Sequence, residues 1–135
     1  MILPQHAVSW QLQNIIINNG LILHKKKTMA WLYLIIASIF EITWAVGLKY
    51  TDGLTKPVPT LITIIAMLLS FVFLSQAAKQ LPIGTAYAIW TGIGAAGTAI
   101  YGLLYFNESR ELIRIISIFL IIIGVIGLKI FSSQQ

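Results

Sequence analysis

No cysteine occurs in the 135 residues, only four side chains are acidic, and charged residues of both signs make up 10% of the chain. Without cysteine there are no disulfides and no thiolate metal sites. The two histidines, His6 and His24, lie outside the apolar segments and away from any acidic cluster. No resident metal or other cofactor is expected. A soluble domain of this size keeps about a quarter of its residues charged, so an ordinary water-facing globule is excluded. Phosphate loops, dinucleotide fingerprints and zinc spacings are also missing, and no enzyme is expected. The net charge of +5 does not point to nucleic acid, because Lys25–Lys27 form the one basic run and the other cations stand singly at the ends of apolar segments. That distribution is usual for cations flanking membrane spans.

What is present is apolar. Hydrophobic residues make up 58% of the chain, and the mean hydropathy is +0.87. Four long runs stand out, at about 30–48, 58–78, 84–106 and 112–131. About 20 helical residues cross ~30 Å of hydrocarbon. Lipid requires internal hydrogen bonding, which leaves helices or a closed barrel, and no segment alternates as a barrel strand does. The fold class expected is an all-α membrane protein of four transmembrane helices. The connections "KYTDGLTKPVP", "KQLPIG" and "NESRE" are short, with Asp52-Gly53 as a turn and Pro57 and Pro59 opening a helix. Any site must therefore lie within the bilayer.

Residues 1–28 differ in character, with no acidic residue and no long apolar run. They read as a poorly ordered tail or translated upstream sequence with the start at Met29, in preference to an amphipathic surface anchor. The four-helix domain expected is 29–135. Cations fall four on one side (Lys49, Lys56, Arg110, Arg114) against Lys79 and Lys129 on the other, joined by Lys25–Lys27 if the tail counts. The positive-inside rule gives no firm orientation. Two readings stay open: insertion in both orientations with antiparallel pairing, or a simple weak bias.

Glu41 is the only acidic residue inside a span. A charge at a helix centre costs ~2.5–3.5 kcal/mol on insertion scales, so it signals a compensating role. In low dielectric a carboxylate can hold a proton or a cation in competition, which is itself a transport mechanism. The alternative is a glutamate serving as hydrogen-bonding glue between helices. Helical spacing puts Ser38, Glu41 and Trp44 on one face, and Tyr87, Trp90 and Gly94 on another. Aromatic walls beside a carboxylate favour a cation. The glycines of "TGIGAAG" suit either a hinge or close packing. Ser117 and Gly124, seven apart on one face, suit contact with a second copy.

These residues resemble the small multidrug resistance family of bacterial membrane transporters, over 29 to about 133. Within it, "FEITWAVGLKY" and "LPIGTAYAIWTGIGA" are similar to the motifs of the guanidinium exporter subtype. The resemblance implies a dual-topology antiparallel homodimer in the bacterial inner membrane. Its two Glu41 carboxylates would exchange protons, the coupling ion, for guanidinium or small guanidinyl compounds. It implies that Trp44 and Trp90 line the cavity, Tyr87 bonds across it, Ser70 steadies the carboxylate, and Gly92 and Gly94 bend the third span. "SIFLIIIGV", from Ser117 to Val125, resembles the dimer-packing motif. Ser38 stands where the subtype commonly has glycine, and Ser117 where the family often does. The first would modulate affinity modestly, by adding a hydroxyl to the network or crowding it. Competing readings are a broad exporter of quaternary ammonium or aromatic cations, a non-transporting packing subunit, and one half of a heterodimer.

Overall fold

Proline opens the second and third helices. The computed structural model describes residues 5–132, and the helices run in the order α1 (Gln5–Tyr50), α2 (Pro57–Ala78), α3 (Ile83–Tyr105) and α4 (Leu112–Ser132). All four are long and apolar enough to cross a membrane. Pro57 opens α2, and Lys56 before it is extended, with φ −90° and ψ 111°, as the proline ring requires of its predecessor. Asp52, Gly53 and Leu54 all take positive φ, so the expected turn spans three residues. Buried Thr51 staples it: its Oγ1 donates to the Leu48 carbonyl at 2.7 Å and accepts from the Leu54 amide at 3.2 Å. The Ala86 amide donates to the Pro82 carbonyl at 2.9 Å at the start of α3. The Phe106 and Glu108 amides both reach the Gly102 carbonyl, at 3.1 and 3.2 Å, and fold the last connection back over the end of α3.

The first boundary differs from expectation. No proline lies between Pro4 and Pro57, and residues 5–28 continue the helix of the first span without a break. At about 1.5 Å per residue the 46 residues of α1 reach about 70 Å, more than twice the hydrocarbon core. The first four residues of the expected tail and the last three of the expected domain lie outside the described residues. Lys25 and Lys26 share a surface cleft with Lys79, and Lys129 sits 5.8 Å from the ring centre of Trp31. These cations thus gather at one end of the bundle.

α1, α2 and α3 enclose the core, built on Leu34, Leu74, Leu81, Ile89 and Trp90 with Ala30, Ala37, Ala77 and Ala86 between them. Small side chains let backbones approach where lipid supplies no hydrophobic drive between helices. α4 packs its backbone against α3 alone, with Gly92 under Val125. Ile113, Ile116, Phe119, Leu120 and Ile123 of α4 stay exposed.

Gly47 marks a tight α1–α2 approach, since a Cβ there would strike the side chain of buried Thr63. Gly47→Ala should therefore cost ~1–3 kcal/mol, read as a lowered melting temperature in detergent micelles. Gly20→Ala, where a Cβ meets nothing, should leave it unchanged or raise it.

Candidate functional site

Three helices converge on Glu41. One turn along α1, the Trp44 Nε1–H donates to Glu41 Oε2 at 2.7 Å, as the i, i+3 spacing allows. From α2, Ser70 is fully buried, with Oγ 2.8 Å from the Ala37 carbonyl and 3.4 Å from Glu41 Oε2. From α3, the Trp90 Nε1–H donates to Ser70 Oγ at 3.0 Å. A serine has a single hydroxyl proton, and the shorter distance gives it to Ala37. Swung towards Oε2, the same proton would add a second donor to an ionised carboxylate. Oε1 takes no hydrogen bond from the described residues.

Gly94 is what lets α3 come this close. A Cβ at that position would collide with the Cγ of Glu41, so the carboxylate's stem occupies the space of the missing side chain. Beside this contact runs an open cleft of about 500 Å³, lined by Glu41, Ala45, Thr91 and Thr98 and, at its far end, Glu108 and Arg114. Its lining sets the Glu41 carboxylate and the Thr91 and Thr98 hydroxyls among alanines and Gly94, and it is open on one side. It can accept a small cation against a carboxylate edge but cannot enclose one. No group of three or more potential metal ligands occurs among the described residues.

Glu41, Trp44, Ser70 and Trp90 are thus one hydrogen-bonded cluster. Tyr87 packs its ring 5.4 Å from that of Trp90; it is 54% exposed and is not among the residues that line the cleft. Trp90 is itself buried, between Tyr87 and Phe71. The Ser38 hydroxyl donates to the Leu34 carbonyl of its own helix at 2.9 Å and does not join the carboxylate's hydrogen bonds. Gly92 and Gly94 sit in an unbroken helix, each at a close contact with a neighbouring helix. Ser117 is exposed, its hydroxyl turned to the Ile113 carbonyl, and a Cβ on Gly124 would meet nothing.

Glu108 and Arg114 at the mouth of the cleft were not among the residues that sequence reasoning selected. Glu108 Oε2 is ion-paired to Arg114, and Oε1 lies 3.7 Å from Lys49 Nζ. The Arg114 guanidinium, with Lys49 adding to it, holds this carboxyl below the usual carboxylate range. The signal was faint: an acid in a short connection looks solvated until the connection folds back over Gly102.

The family model described as Small Multidrug Resistance protein matches residues 29–121. Similar curated proteins include one from Proteus vulgaris named "Guanidinium exporter", 56% identical over 104 residues, which cover 77% of this chain and all of that protein. A protein of the same name from Yersinia pseudotuberculosis is 53% identical over the same shares. Another, from Salmonella typhimurium strain LT2, is 55% identical over 102 residues, covering 76% of this chain and 97% of the relative.

Ser70→Ala would orphan the buried Trp90 N–H, at a cost of ~1–3 kcal/mol. In that background Trp90→Phe should cost far less than it does alone. A double-mutant cycle on thermal unfolding checks this, and simple additivity would show that the hydrogen bond contributes little.

Proposed function

The chain belongs to the small multidrug resistance family, and from that premise we propose that it exports guanidinium and small guanidinyl cations in exchange for protons. Its four apolar spans and bacterial relatives make it a multi-pass protein of the inner membrane. Relatives identical at more than half of the 104 positions that align, over their full length, carry the name guanidinium exporter. The observation that carries the reading is the single carboxylate in the spans, Glu41, with Oε2 held by Trp44 and Oε1 turned to no protein donor among the described residues.

Guanidinium is planar, permanently charged and rimmed with N–H donors, so it suits a carboxylate held at a fixed angle. A proton and a guanidinium ion compete for the same two oxygens. Either one neutralises Glu41, so the empty, ionised site is the costly state in lipid. Occupancy by one ligand at a time gives exchange. The Trp90–Ser70–Ala37 chain of hydrogen bonds fixes the wall behind the carboxylate, and a quaternary ammonium, with no donors, would gain nothing from that directionality.

A second copy would close the open side of the cleft, and a homodimer is part of the proposal. Exposed Tyr87 is then available to bond across the shared cavity, and Ser117 and Gly124 give α4 a close-packing stripe. Gly92 and Gly94 supply the flexibility for α3 to bend between the two open forms. An antiparallel pair fits the near balance of flanking cations.

In proteoliposomes, guanidinium should drive proton flux in the wild type and not in Glu41→Gln, which keeps the shape of the side chain but can neither ionise nor carry the proton. Flux with a quaternary ammonium instead would replace the substrate class, and wild-type flux retained in Glu41→Gln would remove the carboxylate from the mechanism. Separately, Gly124→Leu should weaken the dimer in crosslinking in liposomes while leaving the helical circular dichroism intact.

A further inference from the structure

A second carboxylate lies on the same path. Glu41 and Glu108 line one cleft, and α3 makes room for both in the same way. A Cβ on Gly94 would strike Glu41, and a Cβ on Gly102 would strike the Glu108 carboxyl group. The two glycines are eight residues apart, about 12 Å along the helix. The partner that fills Glu108 is Arg114, whose side chain ends in a guanidinium, and whose Nη1 also lies 3.5 Å from the Ser109 carbonyl. The mouth of the cleft is thus already a receptor for a guanidinium group, built from a carboxylate and a carbonyl, and occupied by a tethered one.

We propose that Glu108 is an entry site for the transported cation, and that Arg114 is a resident substitute which the free guanidinium ion displaces on its way to and from Glu41. This rests on the guanidinium reading of the Glu41 site. The surroundings fit such an exchange. Lys49 approaches the other oxygen of Glu108 and is held independently, its Nζ 3.8 Å from the centre of the Phe106 ring, so Glu108 stays placed when Arg114 leaves. Arg114 stands in the first turn of α4, the helix with the fewest ties to the rest, so its swing disturbs no core contact. A planar cation with paired N–H donors can replace Arg114 in kind. A lone point charge or a quaternary ammonium cannot, which makes the mouth a filter of the same specificity as the centre.

An ordinary structural ion pair and an exchange site respond differently to loss of either partner. If the pair only braces the fold, Glu108→Gln and Arg114→Gln harm transport in the same direction. If Arg114 competes with substrate, they act oppositely. Initial rates of proton-driven guanidinium flux in proteoliposomes, measured against guanidinium concentration, separate the two. Glu108→Gln should raise KM roughly tenfold, the size of one charge-assisted hydrogen bond, and Arg114→Gln should lower KM several-fold. Shifts of equal sign, or Glu108→Gln indistinguishable from wild type, overturn the proposal. Should Glu108→Gln fail to give a monodisperse protein, Arg114→Gln alone decides: a lower KM supports the exchange site, and an unchanged or higher one overturns it. A wild type silent with guanidinium is a different result, which removes the guanidinium reading and the entry site with it.

Discussion

Hydrocarbon offers a carboxylate nothing, so a protein that keeps one there must supply what water would have supplied. Around Glu41 that obligation reaches into three helices. Trp44 donates from the same helix, Ser70 lies within reach from the second, and Trp90 fixes Ser70 from the third. The core packs around this arrangement, with Trp90 serving at once as a buried apolar anchor and a hydrogen-bond donor. The α1–α3 contact depends on it as well, because Gly94 is the hollow in which the side chain of Glu41 rests.

The same logic separates what was legible in the sequence from what was not. The last three spans fell within one residue of their expected limits, because Pro57, Pro82 and the Asn107 turn interrupt the apolar runs where the helices end. The first span did not, because its upstream limit was inferred from a change of composition and nothing in residues 5–28 breaks a helix. Polar asparagines and lysines lower hydropathy without stopping backbone hydrogen bonds. Composition reports where the lipid ends, and the backbone need not end with it.

At the site, helical periodicity was enough to pair Glu41 with Trp44, which share a helix. Trp90 was legible as an aromatic wall but not as a partner of Ser70, and Ser70 came through resemblance alone, since no spacing rule connects residues 29 and 49 positions away. Gly94 was legible as unusual, but that it admits a neighbour depends on what lies opposite it, and here Glu41 does. The pairing of Glu108 with Arg114 was hidden for the same reason: six residues apart across a turn, they meet only because the connection doubles back onto Gly102.

The attachment of α4 has a consequence of another kind. With its backbone packed against α3 alone and its length mostly exposed, it presents a surface for which, in the homodimer proposed above, acyl chains and a second copy would compete. Water has no part in that contest, so the outcome turns on how well lipid tails pack against Ile113, Phe119 and Leu120 compared with another helix. For the proposed pair, bilayer thickness and chain order would thereby become terms in the assembly equilibrium, with the membrane as a solvent whose quality sets how firmly the two copies are put together.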